Sequence, residues 1–368
     1  MTRRFHITGP CVPGRDFMVD WSSRLARPLA SLLRGESLLL HRGRQSGKTT
    51  FCKELAQAAR KSGLAVALCS LQVAEDQSLL GLFRHIEGTL AAAYPLPSLP
   101  KWNPTEPQSL SFCLYLGDVQ KRLGKPLVLI LDEYDSPPRK LTISMLRSFR
   151  SALSLQEESR PFVSAIVLSG KTHVRDLRDE LRPTGDETRG SGSLWNVALP
   201  VELHSLSPIE LDTLLRDYHA ASGISFGKDV RDELWHKTRG QPWLVSRILY
   251  QLDDQLGSPR RSVDEGSALI SGPASVLPTV QHIRAIADEL LREDCVHLLS
   301  VGDAVSGRKD AEELLLRLLG GEEIALSRSD EIQSYLLDTG IVDASDSGQR
   351  IEIANPIYEA FLLRFLAD

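Results

Sequence analysis

The stretch that most constrains the fold is SLLLHRGRQSGKTTFCKELAQAARKSG, from Ser37 to Gly63. Ser37 to His41 is a short apolar run bounded by Gly35 and Gly43, which predicts a buried strand. Beyond the loop, Phe51, Leu55, Ala58 and Ala59 recur at helical spacing until Gly63 supplies a stop. Strand, glycine loop and helix in that order form a phosphate cradle. Consecutive backbone N–H groups wrap a phosphate and the helix N-terminus adds partial positive charge. The cradle here is Gly43, Arg44, Gln45, Ser46 and Gly47, running into Lys48, Thr49 and Thr50. Lys48 is placed to reach the terminal phosphates and the Thr49 hydroxyl to ligate Mg²⁺. The loop departs from G-x-x-x-x-G-K-[ST] at its first position, where Arg42 stands and Gly43 follows one residue later.

A second segment supplies the acidic half of such a site. KPLVLILDEYDS, from Lys125 to Ser136, reads as a continuous apolar strand ending on Asp132 and Glu133. At a strand's carboxyl end Asp132 can hold the shell of a cation bound at the phosphate loop, and Glu133 can orient and deprotonate a water. A third apolar run, PFVSAIVLSGKT from Pro161 to Thr172, ends on small polar residues. In a parallel sheet its end meets the other two in one crevice. That makes Ser169 a candidate sensor of the γ-phosphate, with Lys171 second, although Ser169 reads equally well as a turn hydroxyl. The next segment, HVRDLRDELRP, carries Arg175, Arg178 and Arg182. Arg175 or Arg178 is a candidate arginine finger, in cis or toward a neighbouring subunit, and a solvated helix face is the competing reading.

With LAVALCS (Leu64 to Ser70) and VALPVEL (Val197 to Leu203), five apolar runs alternate with helical segments. The pattern predicts an α/β fold: a parallel sheet with helices on both faces. At 368 residues the chain should hold two or three domains. The Pro-rich YPLPSLPKWNPTEP (Tyr94 to Pro107) reads as an exposed insertion or an ordered loop. Five scattered cysteines with no C-x-x-C, and histidines with no ligand spacing, argue against disulfides and against any metal not brought by a nucleotide. No apolar run reaches the roughly 18 residues of a membrane span, and no apolar segment follows Arg3 and Arg4 as in a secretory signal. A cytoplasmic protein is expected.

RQSGKTT, LILDEYDS, GSLWNVALPVELHSLSPIEL, TRGQPWLVSRILYQL and YLLDTGIVDASDSGQRIEIANPIYEAFL together resemble, in order, the bacterial and archaeal AAA-like ATPases of the STAND type, signal-transduction ATPases with numerous domains. The resemblance spans nearly the whole chain. It implies a P-loop NTPase core over residues 1–204, a helical lid over 205–277 and a C-terminal winged-helix domain over 278–368, with nucleotide bound between core and lid. It also implies ATP and Mg²⁺ as cofactors. Lys48 and Thr49 match the phosphate loop, Asp132 and Glu133 the acidic pair, and Gly240-Gln241-Pro242 the lid motif whose proline, Pro242, lies near the nucleotide base. The same three residues also read as a helix-ending glycine followed by a proline opening the next helix. Upstream, DFMVDW (Asp16 to Trp21) lacks the arginine and glutamate that such ATPases often carry, which leaves ATP over GTP resting on the resemblance.

The C-terminal quarter has its own signature. TVQHIRAIADELL and KDAEELLLRLL are amphipathic, and GIVDASDSGQRIEIANP places two β-rich runs around an Asp-Ser-Gly turn, a hairpin wing. From Thr279 to Asp368 there are 8 Lys and Arg against 18 Asp and Glu. That balance repels a phosphate backbone and favours protein contacts over nucleic acid. The expected function is a slowly hydrolysing ATP switch acting through an unidentified protein partner. The alternatives are a winged-helix DNA-binding ATPase and a nucleotide-binding scaffold that never hydrolyses. Homo-oligomerisation stays open.

Overall fold

A computed structural model describes residues 3–43, 45–73, 78–95, 99–156, 162–171, 198–256, 277–293 and 295–367. The chain divides into two compact units. One comprises Trp21–His41 and Lys48–Leu203; the other comprises Met1–Asp20, Arg42–Gly47 and His204–Asp368.

The first unit is built on the five apolar runs. They form β1 (Ser37–His41), β2 (Ala65–Ser70), β3 (Leu127–Asp132), β4 (Ala165–Gly170) and β5 (Ala198–Glu202). The sheet order is β2-β3-β4-β1-β5 and every neighbouring pair is parallel. β3 and β4 are buried along their full length, as strands covered on both faces must be. Helices α1 (Ser22–Leu33) and α2 (Lys48–Lys61) pack on one face, and α3 (Leu79–Ala93), α4 (Gln108–Leu123) and α5 (Arg139–Gln156) make up the other layer. Alternation along the strands divides the core: Leu39, Leu129, Leu131 and Leu168 join Phe83, Phe112 and Phe149 of the α3–α5 layer.

The Pro-rich segment is tied down at its described ends. The Tyr94 hydroxyl accepts from the Val66 amide, and the buried Trp102 ring packs edge-on against Phe83 and Phe112. Cys52, Cys69 and Cys113 are buried and free.

The second unit is mainly helical: α6 (Pro208–Ser222), α7 (Lys228–Thr238), α8 (Pro242–Gln255), α9 (Val280–Leu290), α10 (Val296–Val305), α11 (Lys309–Leu319), α12 (Glu331–Thr339) and α13 (Pro356–Phe365). A capping box at Ser207 and Glu210 starts α6, and Gly223 and Gly340 end α6 and α12 in the left-handed region. Strands β6 (Ile324–Ala325), β7 (Val342–Ala344) and β8 (Arg350–Ile353) form an antiparallel sheet in the order β6-β8-β7, and the Asp-Ser-Gly turn joins β7 to β8. One hydrophobic core runs through these helices, with Phe5 tilted against Tyr218 and Phe17 edge-on to it from the N-terminal segment.

Candidate functional site

In the sheet unit, parallel pairing brings the carboxyl ends of β1, β3 and β4 to one edge. The order inserts β4 between β1 and β3, so Ser169 stands opposite both Leu40 of β1 and Asp132 of β3. The buried Ser169 hydroxyl donates to Oδ1 of Asp132 at 2.6 Å. Ser169 is thus an orienting partner for the carboxylate, an arrangement that the sensor and turn readings both missed.

Lys48 opens α2, where its ammonium feels the charges of Asp135, just past β3, and of Asp132 at the end of β3. Desolvation lowers its pKa to about 8, against the raising influence of Asp135 first and Asp132 second, while the like charge of Lys171 pushes it down. Lys48, Asp132, Asp135 and Lys171 therefore form one electrostatic cluster. Thr49 and Thr50 follow in the first turn of α2, with Thr50 buried.

Glu133 sits just past β3 with φ 54°, a left-handed backbone that a non-glycine residue adopts only when its surroundings hold it there. The surroundings are identifiable: the Tyr134 amide donates to the Ser169 carbonyl at 3.1 Å, and the Ser136 amide donates to the Glu133 carbonyl at 2.9 Å. Asp135, which the sequence reading left unassigned, accepts the Lys171 amide on Oδ2 at 2.9 Å. Gly170 makes this turn fit, since a Cβ there would lie 2.6 Å from the Tyr134 ring and 2.8 Å from Asp135 Oδ1.

The phosphate loop itself belongs to the second unit. Gln45 and Gly47 have φ of 57° and 86°, and the Ser46 hydroxyl donates to the Gly43 carbonyl at 2.9 Å. Backbones that alternate into the left-handed region turn successive N–H groups toward one concave side, which suits an anion. The Gln241 side-chain amide donates to the Gln45 carbonyl at 3.4 Å, and its Oε1 accepts the Leu244 amide as the N-cap of α8. Pro242 is the first residue of α8, so the reading of a proline opening a helix holds. The preceding helix ends one residue earlier than the glycine: Arg239 is its cap at φ 44° and Gly240 follows at 71°. A Cβ on Gly240 would lie 2.1 Å from the Leu206 carbonyl oxygen. Arg44, Arg175, Arg178 and Arg182 lie outside the described residues.

No protein-family model and no curated protein matches the chain. Solved structures do. The Walker-type ATPase PABY2304 of Pyrococcus abyssi is similar over 98% of this chain and 99% of that one, with a TM-score of 0.66 and 13% identity. The ORC2 protein of Aeropyrum pernix, solved as ADPNP–ADP complexes, is similar over 98% of this chain and 96% of that one, with a TM-score of 0.50 and 14% identity. The chain thus shares the fold of the Walker-type ATPase PABY2304 over 98% of its length. Among the described residues no helix is long and apolar enough to cross a membrane.

Proposed function

We propose that this protein is an ATP-binding, slowly hydrolysing molecular switch of the STAND type, with an ATPase core (residues 1–204), a lid (205–277) and a winged helix (278–368). The observation that carries the reading is the cluster at the edge of β3: an ammonium at the head of α2 under the influence of two carboxylates, beside a serine that fixes one of them. Lys48 binds the β- and γ-phosphates of the nucleotide, and the loop from Gly43 through Arg44, Gln45, Ser46 and Gly47 to Thr50 wraps them with backbone amides.

The Asp132 carboxylate and the Thr49 hydroxyl are hard oxygen donors of the kind Mg²⁺ takes alongside phosphate and water, so the residues fit that ion. Bound there, Mg²⁺ would neutralise charge developing on the phosphate oxygens. Glu133 accepts a proton from a water whose oxygen attacks the γ-phosphorus. The bond from that phosphorus to the bridging oxygen breaks, and ADP and phosphate leave. The strained backbone of Glu133 supports a role that rewards placement over comfort. Lys171 adds a second cation near the phosphates. Pro242 borders the base, as in the family the sequence resembles. Arg175 or Arg178 supplies charge to the transition state from the same or a neighbouring subunit.

The acidic C-terminal quarter favours output through a protein partner, with DNA binding as the reading it opposes. Calorimetry with MgATP tests binding, and K48A should abolish it. E133Q should keep binding and lose phosphate release. Binding by the native chain with phosphate release at background, and unchanged in E133Q, would favour a scaffold that never hydrolyses.

A further inference from the structure

Arg42 occupies the place where a phosphate loop normally carries its first glycine, and its surroundings explain why a long cation stands there. Its guanidinium is buried, with 7% of the side chain exposed, and Nη2 donates to Oδ2 of Asp343 at 2.9 Å, 301 residues away on β7. It also lies against the end of α12: a Cβ on Gly340, the left-handed cap of that helix, would come within 3.3 Å of Arg42 Nε. A helix C-terminus carries partial negative charge and favours a cation. The neighbouring Tyr358 hydroxyl also feels the Arg42 charge. The next loop residue is held by shape. A Cβ on Gly43 would sit 1.7 Å from the Thr339 carbonyl oxygen, so the loop backbone packs directly on the last turn of α12.

We infer that the phosphate loop is shaped by the C-terminal module, with Arg42 and Asp343 as positioning residues for the nucleotide. The inference rests on the phosphate-loop reading above and adds to it a named pair that no motif contains. Anchoring Arg42 fixes the entry of a loop whose Gln45 and Gly47 need left-handed backbones. A loop held in its binding shape binds without first being ordered, and its ligand leaves more slowly. By linkage, nucleotide in the loop must stabilise the segment around Thr339 to Asp343 by the same amount.

The test is dissociation of a fluorescent ATP analogue from the full chain in Mg²⁺, followed by displacement with excess ATP. D343N should release it about tenfold faster, within the range common for coupled sites. D343E should recover part of the loss, and the charge swap R42D/D343R should recover more of it than either single change. In the native chain, the nucleotide should slow amide hydrogen exchange in residues 336–345, a readout that needs no variant and that a general loss of stability would not produce. Release from folded D343N within twofold of native, or slower than native, would overturn the inference, as would unchanged exchange over 336–345. If the native chain bound no nucleotide, the phosphate-loop reading would fall and this inference with it. Binding indifferent to both tests would sink the inference alone.

Discussion

Ser169 and Asp132 face one another across the β3–β4 pairing, and the serine hydroxyl holds one carboxylate oxygen at 2.6 Å. A buried carboxylate that loses its donor carries the full desolvation penalty of that oxygen. S169A should therefore lower stability by about 1–3 kcal/mol and weaken the Mg²⁺ dependence of nucleotide binding more than binding without metal. Denaturant unfolding together with calorimetry at varied Mg²⁺ checks both. Equal losses with and without the ion would remove Ser169 from the metal's surroundings.

Lys48 predicts a pH signature. Without nucleotide its pKa is lowered to about 8, so the ammonium becomes neutral as pH rises through that value. A polyanion beside it favours the charged form and raises the pKa on binding. ATP binding between pH 8 and 9 should then take up protons, and affinity should fall as pH climbs above 8. Calorimetry in buffers of different ionisation enthalpy reads the uptake directly; proton release on binding would contradict it.

Gly240 leaves no room for a side chain, because a Cβ would meet the Leu206 carbonyl oxygen and the Trp235 ring while φ stays at 71°. G240A should cost at least about 2 kcal/mol, the range of strained backbones and overpacked sites. Its thermal midpoint should fall measurably, and a midpoint equal to that of the native chain would show that the α7–α8 corner moves freely.

His297 should set the acid limit of the helical unit. Its ring is buried, stacked on Trp243 at 4.6 Å, and Nε2 lies 2.7 Å from the Tyr358 hydroxyl. Burial lowers its pKa to about 3. The unfolded chain binds this proton below its ordinary pKa near 6.5 and the folded chain does not, so stability present above pH 6.5 is lost as pH falls toward 3. The slope for this site approaches about 1.4 kcal/mol per pH unit. H297Q should be less stable at neutral pH but should show a shallower acid slope in denaturant unfolding, and an unchanged slope would point to other groups.

The sheet was legible because its information is local. Each of the five strands announces itself as an apolar run, Gly47-Lys48-Thr49 sits where the helix after β1 begins and Asp132-Glu133 where β3 ends, so both motifs and fold class could be read along the chain. What sequence could not show was pairing at a distance. Nothing near Ser169 says that β4 enters between β1 and β3 and puts the serine opposite Asp132. Asp135 carried no signal of its own in the sequence, and its bond to the Lys171 amide exists only because a separate strand arrives beside it. Arg42 was visible as an irregularity, but its explanation lies 301 residues away.

The left-handed backbone at Glu133 carries a further consequence. A glycine or asparagine would rest there with less strain, so the chemistry assigned to that carboxylate runs against the comfort of the chain beneath it. On the role proposed for Glu133, a glycine or asparagine at this one position should give a sturdier chain that binds nucleotide without splitting it.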